Sequence, residues 1–261
     1  MQRILFRDPL ICAILFFLIT FSGCTKREKI TSLPGLKGKE FAVPTGTVAD
    51  KLVLSKFPDA KISYYNSILD ACMAVRAGKA DAAAYDEPIL RNIAAKNPGL
   101  IVIPEMITTD NYGFAVQPDN IKLKNTIDDV IRELKTSGDY NKLVERWLPK
   151  EGSPSAMPVI SYTGSNGTLK FGTSAITEPF SFIDGSQKVV GLDIEIASIT
   201  ARKLGMKLEI VNMDFGAMIP ALVSRKVDMI GACITITPER AKKVLFSIPY
   251  YTGGIAALVK D

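Results

Sequence analysis

One pattern occurs twice in this chain, and the repetition limits the folds open to it. From Ser67 the sequence reads SILDACMAVRAGKADAAAYDEP, and from Phe215 it reads FGAMIPALVSRKVDMIGACITITPER. Each copy begins with an amphipathic helix, whose apolar stripe is Ile68, Leu69, Cys72 and Val75 in the first and Met218, Ile219, Leu222 and Val223 in the second. A basic turn stops each helix, at Gly78-Lys79 or Arg225-Lys226. One residue further on stands an aspartate, Asp81 or Asp228. A short apolar strand, 82–85 after the first aspartate and 227–230 around the second, comes next, and polar groups appear where it gives out. A helix-to-strand unit used twice predicts two similar α/β lobes that face one another.

The strand ends carry the chemistry, because ligands of open α/β sheets bind beyond the carboxyl ends of the strands. After the second strand come the hydroxyls of Thr235 and Thr237 and the guanidinium of Arg240. A fixed guanidinium beside hydroxyls and backbone N–H groups suits a two-pronged grip on a small carboxylate. After the first strand comes Asp86, an anion. A cation on one lobe and an anion on the other would clamp the two ends of a zwitterion. The alternative for Asp86 is to cap the helix that begins near Pro88. Earlier in the chain, a strand at Phe41–Val43 runs into the turn Thr45-Gly46-Thr47 and then a helix, a start that offers free N–H groups to an anion.

Composition excludes several classes. The chain has 261 residues, 47% of them hydrophobic, enough for a sizeable core in one large domain or two lobes. A net charge of +5, evenly spread, does not suit a nucleic-acid binder. The chain has no histidine, which removes histidine acid–base catalysis and disfavours a transition-metal site. No cofactor is expected.

The first 23 residues read as an export signal: Arg3 and Arg7, an apolar run from Leu10 to Phe21, then small residues before Cys24. Phe21-Ser22-Gly23-Cys24 resembles a bacterial lipobox, which implies lipidation of Cys24 and a membrane anchor; Phe21 departs from the usual Leu. The polar residues that follow, to about 35, read as a tether. Of the two remaining cysteines, Cys72 reads as a small core residue on a helix and Cys233 lies at the candidate site; their pairing as a disulfide is the less favoured alternative.

The motif ACITITPER followed by FSIPYY, preceded by EPFSFIDGSQKVVGLDIEIASITARKLG, resembles the signature of the type 3 extracellular solute-binding proteins, the periplasmic amino-acid receptors of ABC importers. The resemblance runs over about ninety residues, with several motifs in order. It implies an α/β, two-lobed periplasmic-binding-protein type II fold, each lobe a mixed sheet flanked by helices. The segment from Leu36, LKGKEFAVPTGT, resembles that family's second lobe, which ordinarily follows the TITPER half. The order here therefore implies a circular permutation: second lobe 36–118, helices returning to the first lobe 119–150, linker 151–167, first lobe 168–261. A fragment of a tandem receptor is the alternative.

The resemblance assigns Arg240 and Thr235 to the ligand carboxylate, Asp86 to its ammonium, Thr47 to a second carboxylate contact, and Phe215 to one wall of an aromatic sandwich. Five positions depart from the pattern, Pro44 and Val48 among them, since both replace residues that are often polar. Thr177 stands where the other aromatic wall is usual, so that wall is either missing or supplied by Phe180 or Tyr85. Cys233 replaces a Gly or Ser whose backbone meets the ligand, so a thiol would border the pocket. Ser174 stands where some relatives carry an acid. The implied function is capture of a polar amino acid, with glutamine as first candidate, by a monomeric lipid-anchored receptor that delivers it to an ABC permease. Two other classes remain. One is an enzyme on this scaffold, similar to the cyclohexadienyl dehydratases, for which Glu178 and Glu87 are the candidate acids. The other is a sensory input domain.

Overall fold

The computed structural model describes residues 29–149 and 154–261. The expected signal segment and the expected lipidation site at Cys24 lie outside the described residues. The first half of the chain forms a short 3-10 turn (Leu33–Leu36), then β1 (Glu40–Pro44), α1 (Ala49–Lys56), β2 (Lys61–Tyr65), α2 (Ile68–Arg76), β3 (Ala82–Asp86), α3 (Glu87–Lys96), β4 (Leu100–Val102), β5 (Asp110–Tyr112), β6 (Ala115–Val116), α4 (Ile121–Ser137) and α5 (Asp139–Trp147). The second half adds β7 (Thr168–Thr173), β8 (Ile176–Thr177), β9 (Ser181–Ile183), β10 (Val189–Val190), α6 (Leu192–Lys203), β11 (Lys207–Asn212), a 3-10 turn (Phe215–Ala217) and α7 (Met218–Val223). It ends with β12 (Met229–Ile230), α8 (Pro238–Ala241), β13 (Leu245–Phe246), β14 (Tyr251–Gly253) and β15 (Ile255–Lys260).

Local chemistry sets these elements. Ser67 opens α2 by accepting the Asp70 N–H at 3.1 Å, and Asp70 lies in the first turn, where the helix dipole favours an anion. Asn120 caps α4 in the same way, and Gly138 ends it at φ +81°. Leu123, Ile127, Val130, Ile131 and Leu134 recur at helical spacing and are buried. The β3 strand, Ala-Ala-Ala-Tyr-Asp, is buried throughout, as a strand inside a covered sheet must be.

Two five-stranded mixed sheets result, and they follow one plan. In the amino lobe the order is β2-β1-β3-β15-β4, with β2, β1 and β3 parallel and β15 antiparallel to both neighbours. In the carboxyl lobe the order is β11-β7-β12-β6-β13, with β11, β7 and β12 parallel and β6 antiparallel. Each sheet thus takes one antiparallel strand from the other half of the chain. The strands β5 and β14 deliver these exchanges and pair antiparallel with each other, so the chain crosses between the lobes twice, side by side. Gly254 lies at the second crossing because a Cβ there would meet the Thr108 carbonyl oxygen at 1.9 Å.

Two boundaries differ from those the sequence suggests. The expected first lobe runs through 261, but β15 pairs with Ala82–Asp86 and belongs to the opposite sheet. Its run IAALVK is buried along five of six residues, as suits a strand between two neighbours. The expected tether extends to 35, yet Ile30 and Leu33 pack on the core and Leu36 is fully buried. Between Trp147 and Thr168 the described residues form no helix or strand, and Met157 and Tyr162 lean on the core.

Candidate functional site

The carboxyl ends of the parallel strands in both lobes meet beside the hinge. Between them lies a cavity of about 700 Å³, lined from the amino lobe by the 44–47 turn, Asn66 to Ile68 and Tyr85. The carboxyl lobe contributes Ser174, Ile176, Thr177 and the 214–217 segment. The lobes touch at Gly46 and Gly216. Gly46 has φ +80°, and a Cβ on it would come within 3.1 Å of the Gly216 Cα, so the approach needs glycine. On the far side of that contact is a recess of about 440 Å³ bordered by Thr47, Lys51, Glu239 and Arg240. Lys51 and Glu239 pair across the lobes at 2.5 Å. A second cross-lobe pair, Lys96–Glu178 at 2.6 Å, lies away from this cavity.

Arg240 is presented by one turn of helix. Pro238 occupies its first position, and the Thr237 hydroxyl accepts the Arg240 N–H at 3.2 Å as an N-cap. Arg240 is 8% exposed; its guanidinium Nη1 donates to the Thr235 carbonyl at 3.0 Å and the guanidinium centre lies 5.5 Å from the Phe215 ring. Burial lowers its pKa from the ordinary value, opposed by Tyr85, Asp86 and Glu239. Guanidinium remains a cation in proteins. Among the described residues no carboxylate lies within ion-pair distance of it.

Asp86 ends β3 and is 4% exposed. It stands at the head of α3, but its side chain makes no cap hydrogen bond, and Oδ1 has no partner. Burial raises its pKa to about 7; the nearby Tyr112 hydroxyl and Arg240 oppose the rise. Tyr112, on hinge strand β5, is fully buried and its hydroxyl is also without a partner. Its backbone bridges to Thr235, and its ring stacks on Tyr251 at 5.8 Å. The hinge tyrosine therefore stands between the acidic end of one lobe and the basic end of the other. Sequence reasoning misses it, since nothing local separates Tyr112 from an ordinary strand residue.

A cation and an anion thus stand on facing lobes, both buried and neither in an ion pair among the described residues, a charge pattern that matches a small zwitterion. Residues 169–261 match the sequence model of the bacterial extracellular solute-binding proteins, family 3. Over these residues the chain is similar to that family. Similar curated proteins include the arginine-binding extracellular protein ArtP of Bacillus subtilis, 45% identical over 84 residues, or 32% of each chain. The ABC transporter arginine-binding protein 1 of Escherichia coli is 28% identical over 130 residues, 48% of this chain and 54% of that one. Among solved structures, the arginine-bound domain 1 of TmArgBP is 42% identical over 37% of this chain and 82% of that one, with a TM-score of 0.33. The chain spans about a third of the length of the first of these curated relatives and about half of the second.

The family 3 segment supplies Thr177, Phe180, Phe215, Cys233, Thr235 and Arg240, and the structure sorts these residues. Phe215 lines the cavity and faces Arg240. Thr177 lines it too, but its hydroxyl is turned to the carbonyls of Ser174 (3.0 Å) and Ser181 (3.3 Å), so it serves the local turn. Phe180 is not a wall of the cavity: it is fully buried, edge-on to Tyr112 and Tyr251, because the apolar floor under the hinge claims it. Tyr85 does line the cavity and is 4% exposed. Cys233 lines neither space. Its thiol is buried, and its N–H is spent on the Asp193 carboxylate at 2.9 Å instead of facing a ligand. Thr235 is 4% exposed and gives its carbonyl to Arg240.

In the amino lobe Thr47 borders both spaces, with its hydroxyl donating to the Pro44 carbonyl at 2.9 Å and accepting the Ala49 N–H at 3.3 Å. Cys72 and Cys233 are both free. The two acids considered for catalysis are held elsewhere, Glu178 by Lys96 and Glu87 by Arg91; they do not line the 700 Å³ cavity, and neither do Asp86 and Arg240, of which Arg240 borders the 440 Å³ recess. Among the described residues no helix is long and apolar enough to cross a membrane, and no cluster of His, Cys, Asp or Glu could hold a metal ion.

Proposed function

We propose that this chain captures a free α-amino acid with a polar side chain between its lobes, as the solute receptor of an ABC importer. The observation that carries this reading is that Arg240, on the helical turn α8 of one lobe, and Asp86, at the end of β3 of the other, are both buried and neither forms an ion pair among the described residues. The ligand carboxylate is taken by the Arg240 guanidinium and its ammonium by Asp86, while Phe215 and Tyr85 flank the side chain. The relatives named above are arginine-binding proteins, and glutamine is the first candidate carried over from the resemblance, which leaves the specificity unread. L-arginine and L-glutamine are therefore the first ligands to test.

Capture proceeds by hinge closure without covalent chemistry. Two adjacent crossings leave the lobes free to rotate about β5 and β14, and closing them expels water and strengthens both charge contacts. Enzymatic use of the scaffold finds little support, since Glu87 and Glu178 are tied up in ion pairs away from the cleft. The order of the halves, with the Asp86 lobe ahead of the Arg240 lobe, we read as a circular permutation within one monomer. The reciprocal exchange of β6 and β15 supports this reading, because it completes both sheets within a single chain. Delivery to a permease and a lipid anchor at Cys24 belong to the same proposal.

Thermal unfolding of the chain from Thr25 onward against each of the twenty amino acids tests it. A ligand that binds only the folded state adds about 2.7 kcal/mol of stability at a hundredfold excess over its dissociation constant. A rise in the midpoint with one or a few amino acids is the expected result. A cooperative melt that none of them moves overturns amino-acid capture. A dimer exchanging its halves overturns permutation within a monomer.

A further inference from the structure

We infer that Asp193, a buried acid outside the ligand cavity, is a positioning residue for the binding strand end: it holds Cys233 in a left-handed backbone conformation and so aims the 233–235 segment at the cleft. The inference rests on the proposed amino-acid site for its functional consequence only. Asp193 lies in the first turn of α6 and is fully buried. One carboxylate oxygen accepts the Cys233 N–H at 2.9 Å, and the other has no partner. Cys233 has φ +57°, a conformation in which a Cβ crowds the backbone and which residues other than Gly, Asn and Asp rarely adopt. It is 2% exposed, so water cannot satisfy its N–H in place of Asp193.

The consequence is geometric. Cys233 is the bend between β12 and Thr235, whose carbonyl receives Arg240 and whose backbone bridges to Tyr112. Were Cys233 to relax to negative φ, the chain beyond it would swing, and the Thr235 carbonyl would no longer meet the guanidinium. The bond joins α6 to the site segment at a separation of forty residues in sequence.

A double-mutant cycle tests the inference, with Asp193→Ala, Cys233→Gly and the double variant, and Asp193→Asn as the conservative change. Glycine reaches positive φ without strain, so it should need Asp193 less. Urea unfolding gives the stability arm, and titration with L-arginine and L-glutamine the binding arm. Asp193→Ala should lower the folding constant of the wild type at least about tenfold more than it lowers that of the Cys233→Gly background. Affinity should follow the same pattern, and Asp193→Asn, which keeps an acceptor oxygen, should stay within about threefold of wild type. Equal losses in both backgrounds overturn the inference, because they make Asp193 a general packing residue. If Asp193→Ala does not fold, recovery of a cooperative melt in the double variant supports the coupling and continued failure overturns it. If the wild type binds neither amino acid, the reading of the ligand falls while the urea arm still decides the coupling.

Discussion

Replacing Asp86 with Asn should make the ligand-free protein more stable and abolish its binding, both from the same cause. The carboxylate is 4% exposed, one of its oxygens has no partner, and burial moves its pKa from an ordinary 3.8 to about 7. That displacement corresponds to about 4 kcal/mol favouring the neutral form. Relaxation and water entry reduce what is measured, so a gain of about 1 to 4 kcal/mol for Asp86→Asn at pH 8 is the expected range. The sign follows from linkage. A carboxyl group whose folded pKa is raised binds more protons when folded, so its stabilising neutral form is fully present below pH 3.8 and is lost as pH rises through about 7. The difference between variant and wild type should therefore be small at pH 4, grow between pH 4 and 7, and level off above. Asp193 is also pushed to about 7 by burial, so the comparison must be between the two proteins at each pH and not across pH in one of them. Urea denaturation from pH 4 to 8 measures the curve. Affinity for the amino acid in the wild type should rise toward pH 7 and then flatten, since only the ionised Asp86 can pair with an ammonium. A variant that is less stable than wild type at pH 8, or a difference that does not change with pH, would refute the claim that Asp86 is an unpaired charge held in place for a ligand.

Three further perturbations follow. Arg240→Ala should weaken amino-acid binding at least about a hundredfold by calorimetry while costing only about 1–2 kcal/mol in urea, because the folded protein uses the guanidinium for one carbonyl contact and one aromatic face; unchanged affinity would sink the carboxylate assignment. Gly46→Ala places a methyl 3.1 Å from the Gly216 Cα at φ +80°, so small-angle scattering with ligand should show a more open form, and affinity should drop at least about tenfold; normal closure would show that the glycine contact does not gate the cleft. Glu239→Gln removes an exposed cross-lobe partner of Lys51, and the loss of affinity should be less than about fivefold and vanish in 1 M salt; a large loss that salt does not affect would assign that pair a direct part in holding the ligand.

Much of this protein can be read from local sequence, because the relevant interactions span a few residues. The spacing of Ile68, Cys72 and Val75, and of Met218 and Leu222, marks helices whose apolar faces are buried, although Leu69 and Val223 on the same expected stripes are exposed, and the following apolar runs become strands. Pro238 after Thr237 dictates the single helical turn that carries Arg240, and the twofold use of one unit dictates two α/β lobes. Arg240 and Asp86 stand out because a charge at the end of an apolar strand is costly to bury unless something of opposite charge meets it. What local sequence could not supply depends on contacts between distant residues. Phe180 and Phe215 are the same residue type near the same site, yet packing under the hinge buries one and leaves the other facing the cavity. The final strand left its expected lobe because the open side of β3 offered it a place between two neighbours. Tyr112 reached the middle of the site because the hinge strands pair, and Asp193 met Cys233 because α6 packs behind the binding strand. Short-range periodicity and capping determined the elements and the two charges; long-range burial decided which neighbours those charges have.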